Sequence, residues 1–199
     1  MSLRLFGEDV LFLQRFLTSA GFYKDELDGR YGENTDKALT EFEQKSQEIA
    51  DEFGAFDPCS ERNIRSLQLK AQRVARVFLR TVRDAEIEAR IISGTRTYAE
   101  QNNLFRQGRF GNPGPKVTKA RGGQSNHNFG IAWVVGIFRG GEYLDESPLY
   151  QKAAEVGLTG ELEWGGNWRS FPDRPHYQLS TGLKLAMVRE KFEGGQAIV

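Results

Sequence analysis

The chain is poor in several residue types, and each shortage excludes something. Cys59 is the only cysteine among 199 residues. No intrachain disulfide can form, so a disulfide-stapled scaffold and a four-cysteine zinc site are both excluded. Cys59 lies in the turn-like run Phe56-Asp57-Pro58-Cys59-Ser60-Glu61, with no histidine near it in sequence. It reads as an inert reduced thiol rather than a nucleophile. Neither charge sign is in excess: Lys+Arg and Asp+Glu each number 27. Polyanion-binding domains usually carry a basic surplus, so no nucleic-acid partner is expected. No run approaches the roughly 18 apolar residues of a membrane span, and the first residues lack the apolar core of a secretory leader. A monomer made in the cytoplasm, without membrane insertion, is expected. Histidine is scarce too, with two in the chain, and both sit among turn-forming residues.

What is present suffices for a core: 39% of residues are hydrophobic and 12% aromatic, enough for one domain or two small ones. Residues 1–50 read as a small helical unit. Val10, Leu11, Leu13, Phe16 and Leu17 recur at helical spacing and Gly21 follows as a stop. Asp28-Gly29-Arg30-Tyr31-Gly32 is a strong turn signal, and Asn34-Thr35 opens a second helix with Ala38, Leu39 and Phe42 on its apolar face. So short a unit buries little surface and should lean on the rest of the chain. Residues 51–62 read as a linker. Ser60 is then the expected cap of one long helix over 61–84, with Ile64, Leu67, Ala71, Val74, Phe78 and Val82 as its core stripe. Arg62, Arg65, Lys70, Arg73, Arg76, Arg80 and Arg83 make one side basic, which reads as a solvated face.

From residue 87 the pattern changes. Residues 87–94 alternate and end in a turn, as a strand does. Residues 98–107 read as a helix. Residues 108–124 hold five glycines and two prolines and read as a long loop, a kind that is usually functional or disordered. Strands are expected at 129–138 and 175–179, and helices at 146–156 and 181–193. Mixed in this way, they predict an α+β domain over 63–199.

Imidazole is the commonest protein metal ligand, and His127 and His176 form a candidate ligand pair. A hydrolytic zinc site needs about three protein ligands and an open water position. A carboxylate must also move the water's proton. Asp173, three residues before His176, is the candidate base. In a straight strand residues three apart face opposite sides, so this role requires a bend before Pro175.

Two ordered sets of motifs carry resemblances. Leu13-Gln14-x-x-Leu17, Gly21-Phe22-Tyr23, Asp28-Gly29-x-Tyr31-Gly32, Thr35 and Ala38-Leu39-x-x-Phe42 resemble the small three-helix peptidoglycan-binding module of many cell-wall hydrolases, over about residues 5–47. The second set begins with Gly94-x-Arg96-x-x-x-x-Gln101, Gly108-Arg109, Pro113-Gly114 and Thr118-Lys119-Ala120. It continues with Ser125-x-His127-x-x-Gly130-x-Ala132, Trp164-Gly165-Gly166-x-Trp168 and Asp173-x-Pro175-His176. Over about residues 62–180 it resembles the zinc D-Ala-D-Ala carboxypeptidase and L-alanyl-D-glutamate endopeptidase family, of VanY-like type, with a small antiparallel sheet.

The resemblance implies that His127 and His176 are zinc ligands and that Asp173 is the acid/base. It implies that Arg96, Gln101 and Ser125 engage the substrate, Arg96 through carboxylate or carbonyl oxygens. Trp164 and Trp168 either line the cleft or pack the core. Val134 departs from the pattern: the family has aspartate there as third ligand, and valine has no donor atom. Glu142 and Asp145 are the downstream candidates to replace it. The implied protein is a phage-type endolysin with bacterial peptidoglycan as partner and zinc as cofactor, released to the wall from the host cytoplasm and impaired at residue 134. The rival expectations are a non-catalytic wall-binding protein and a two-carboxylate glycosidase.

Overall fold

A computed structural model describes residues 7–199; the expected start of the helical module at residues 1–6 lies outside them. The helices are α1 (Gly7–Ser19), α2 (Glu33–Phe53), α3 (Pro58–Arg65), α4 (Leu69–Asp84), α5 (Tyr98–Arg106), α6 (Leu149–Gly157) and α7 (Leu185–Glu193). The strands are β1 (Ala89–Ser93), β2 (Ala132–Arg139), β3 (Glu142–Leu144), β4 (Leu162–Trp164) and β5 (His176–Leu179). The architecture is an N-terminal helical segment followed by an α+β region with a small antiparallel sheet. The chain divides into two compact units, one of residues 1–45, 96–129 and 183–199, the other of residues 46–95 and 130–182.

In the first unit, α1 buries Val10, Gln14, Phe16 and Leu17. Gln14, fully buried, ties down the turn that follows. Its Nε2 donates to Asp28 Oδ1 at 2.9 Å and to the Arg30 carbonyl at 3.1 Å, and its Oε1 accepts the Gly29 amide at 2.9 Å. Gly29 has φ +69° and a Cβ there would stand 2.9 Å from the Gly7 carbonyl oxygen, so this turn requires glycine. The helical segment does lean on the rest of the chain. The Phe12 ring lies 5.5 Å from that of Phe192 in α7 and 5.8 Å from that of Tyr98, and Phe192 in turn lies 5.3 Å from Phe129. Segments distant in sequence therefore share one aromatic core.

The second unit holds the whole sheet, in the order β1-β2-β5-β4 with β3 paired to β2. Alternation divides its residues between two faces. On one, Ile91, Trp133, Val135, Ile137, Tyr177 and Leu179 are all buried; α4 covers this side, with the Phe78 ring tilted against that of Tyr177 at 4.4 Å between centroids. The core stripe expected from Ile64 to Val82 is buried as read.

Three expectations are corrected. The stretch 51–62 is mostly helical: α2 runs on to Phe53, and the chain breaks only around Gly54, φ +77°, before Pro58 starts α3. The long helix over 61–84 is two helices, and its first cap is Asp57, whose side chain accepts the Ser60 amide. Ser60 instead stands inside α3, where its Oγ accepts the Ile91 amide of β1 at 3.0 Å. The basic side is not uniformly solvated. Arg76 is fully buried and grips Glu61 with two bonds of 2.8 and 2.7 Å, while Arg83 holds Asp57 at 2.7 Å. Burial pushes the Glu61 and Asp57 carboxyls up, but the bonds from Arg76 to Glu61 and from Ser60 and Arg83 to Asp57 outweigh it and hold both below the ordinary range.

Candidate functional site

Each unit carries a share of the sequence-selected residues. In the second unit, regular antiparallel pairing sets Val134 of β2 directly opposite His176 of β5, while on its other side it meets Ser93 of β1 across a bulge. Residues paired in this way point to the same face with Cβ atoms about 5 Å apart. The next row on that face is Ala132, Gln178 and Glu163. The position at which the family pattern puts a carboxylate therefore adjoins His176, and here an isopropyl group fills it.

The bend expected before Pro175 is present. The His176 amide donates to the Asp173 carbonyl at 3.2 Å, closing a turn over Arg174 and Pro175, and the Pro175 carbonyl accepts the Val135 amide at 2.8 Å. This turn places Asp173 beside the start of β5. The glycine-rich run before it has a steric reason: a Cβ on Gly165 would lie 2.5 Å from the Asp173 carbonyl oxygen and 3.0 Å from the His176 Cβ. Gly165 also accepts the Asp173 amide at 2.9 Å. A Cβ on Gly166 would strike the Trp164 ring at 2.2 Å. The two tryptophans differ. Trp164 is buried and its Nε1 braces the turn by donating to the Arg174 carbonyl at 2.7 Å, whereas the Trp168 ring lies 4.8 Å from that of His176.

In the first unit, Thr97 caps α5 with a full capping box, which fixes the helix start beside Arg96. The Arg96 amide donates to the His127 carbonyl at 3.0 Å, and Asn128 Nδ2 donates to the Arg96 carbonyl at 2.8 Å. His127, 2% exposed, lies in a 3-10 turn at Asn126–Phe129 that follows Ser125, whose carbonyl accepts the Asn128 amide. Arg96 Nη1 donates to Gln101 Oε1 at 2.8 Å. Gln101 is fully buried and gives its Nε2 to the Ala120 carbonyl at 2.9 Å. Gln101, expected to engage substrate, is thus bonded to Arg96 and to the loop that carries Ala120. Arg96 lines an open cleft of about 600 Å³ with Glu100, Leu104, Gln107, Asn112 and Pro113.

The residues present do not make up a three-ligand zinc set. Val134 offers no donor, and among the described residues no group of three or more His, Cys, Asp or Glu is placed to hold a metal. Neither proposed substitute belongs to such a group. Glu142 pairs with Arg139, five residues along β2 from Val134, about 17 Å. Asp145 is exposed and its carboxylate accepts the Glu146 amide at 2.8 Å. Sequence reasoning missed Gln178 and Glu163, which stand on this face; no motif includes them, and only strand register brings them to His176.

Residues 118–179 match the family described as D-alanyl-D-alanine carboxypeptidase, and residues 6–58 match the "Putative peptidoglycan binding domain". Among curated proteins, the peptidoglycan L-alanyl-D-glutamate endopeptidase CwlK of Bacillus subtilis (strain 168) is 33% identical over 103 residues, 47% of this chain and 61% of the relative. The chain thus spans less than two thirds of that relative's length. Among solved structures, the Serratia marcescens L-Ala D-Glu endopeptidase ChiX is similar at 28% identity, with a TM-score of 0.48 over 64% of this chain and 90% of that one. The chain thus joins a segment that matches the peptidoglycan-binding-domain model to a segment that matches the D-alanyl-D-alanine carboxypeptidase model.

Proposed function

We propose that this chain is an endolysin-like, peptidoglycan-directed peptidase whose hydrolysis is strongly impaired at residue 134. The helical segment binds the wall. The remainder addresses an amide bond of the stem peptide. Asp173, held beside His176 by the Pro175 turn, is positioned to take a proton from attacking water and pass it to the leaving amine. Arg96, aimed by Gln101, offers its guanidinium to a carboxylate or carbonyl of the peptide, and Ser125 adds a neighbouring polar contact. His127 and His176 stand where the resemblance puts two zinc ligands; zinc held by a complete ligand set would polarise the carbonyl and activate the water. The observation that carries this reading is Val134 in register with His176, an intact framework with its third donor missing.

The test uses purified bacterial walls. We expect the chain to sediment with them and to release few new amino termini, while Val134→Asp raises that release; mass spectrometry of the fragments reads both. New reducing ends would point to sugar-strand cleavage and overturn the peptidase reading. The same valine favours a second reading, a non-catalytic wall binder. It expects equal binding and no gain of amino termini in Val134→Asp.

A further inference from the structure

We propose that Gln178, oriented by Glu163, is a positioning residue that fixes the tautomer of His176 and leaves Nδ1 as its basic nitrogen. The argument runs through three side chains on one face of the sheet. Glu163 Oε2 lies 2.8 Å from Gln178 Nε2, and Gln178 Oε1 lies 3.0 Å from His176 Nε2. An ionised carboxylate only accepts, so the amide group facing Glu163 must be the NH2. That orientation turns the amide oxygen towards His176. An amide oxygen also only accepts, so Nε2 of the imidazole must carry the hydrogen. In the neutral ring the lone pair is then on Nδ1.

The backbone holds this chain in place. Glu163 and Gln178 are directly paired across β4 and β5, and Gln178 is two residues from His176 on the same strand face. On the ring itself, Trp168 packs at 4.8 Å with an interplanar angle of 47°, which restricts rotation that would exchange the two nitrogens. Outer partners of this kind typically govern ligand affinity or activity by roughly 10–100-fold. The proposal rests on the function proposed above only for the task it gives His176; the tautomer is a property of the chain as it stands.

Long-range proton–nitrogen NMR of the full-length chain tests it. With two histidines in the sequence, the spectrum holds two imidazole patterns, and His127→Gln assigns them. In alkaline buffer, where an ordinary imidazole is neutral, we expect His176 to show a protonated Nε2 and an unprotonated Nδ1. Gln178→Leu should move it to a mixture of tautomers. Glu163→Gln, a change at an exposed position that leaves Gln178 in place but frees its amide to turn either way, should give a smaller shift in the same direction. A predominantly Nδ1-protonated ring in the unsubstituted chain overturns the proposal, and so does an Nε2-protonated ring that neither substitution changes. A gain of hydrolysis in Val134→Asp without any such dependence removes this proposal and leaves the functional reading intact.

Discussion

The two central strands of the sheet differ in what they retain. β5 and its leading turn keep Asp173, Pro175 and His176, with Gly165 and Gly166 allowing the close approaches that shape them. β2, hydrogen-bonded to β5, carries valine where the pattern has a charged donor. Valine suits a pleated strand, and the register with β5 runs on regularly from Trp133–Tyr177 to Val134–His176, while on the β1 side the pairing is interrupted by a bulge between Ile91 and Ser93. Framework and ligand set are therefore separable. A functional donor can be lost at a position where the fold favours its replacement.

This contrast can be broken or sharpened by substitution. The largest effect is expected from Val134→Asp, which adds the missing donor: release of amino termini from walls should rise by at least about 10–100-fold, the scale on which even outer partners of a metal act. Framework changes should act on stability instead. Phe192→Ala, at a fully buried ring touching Phe12 and Phe129, should cost about 3–5 kcal/mol in chemical denaturation. Glu61→Ala leaves the buried Arg76 charge unpaired and should cost about the same. Gly165→Ala, which meets the Asp173 carbonyl at 2.5 Å, should cost about 1–3 kcal/mol and lower wall cleavage in a Val134→Asp background.

The smallest effect is a pH dependence. Glu61 and Asp57 are held below their ordinary values in the folded chain. Their stabilisation is fully present above the ordinary carboxylate range and fades as pH falls through the lowered folded values. The Tm should therefore drop on acidification, and drop less in Arg83→Met, which removes one of the groups that lowers Asp57.

Much of the fold was legible. The Val10–Leu17 and Ile64–Val82 stripes announce buried helical faces, and the alternation around Ile91 and the buried run at Val135 announce strands. The short strands β3 and β4 escaped because three residues carry too little periodicity. The cap at Asp57 escaped because Ser60 offered an equally good hydroxyl three residues on, and only its bond to Ile91 reveals its other use. At the site, the bend before Pro175 followed from residue chemistry. The pairing of Val134 with His176 required strand register, which no local pattern contains. Gln101 is implied as a substrate contact by the motif it shares with Arg96; its burial and its bond to the Ala120 carbonyl are not visible in that motif. Glu163 and Gln178 carry no motif at all.

The most direct test of the central claim is elemental analysis of zinc in the purified chain beside its Val134→Asp variant, both dialysed against the same dilute zinc buffer. We expect the variant to retain close to one zinc per chain and the unsubstituted chain markedly less. Equal retention by the two proteins would contradict the claim that residue 134 is where the ligand set fails.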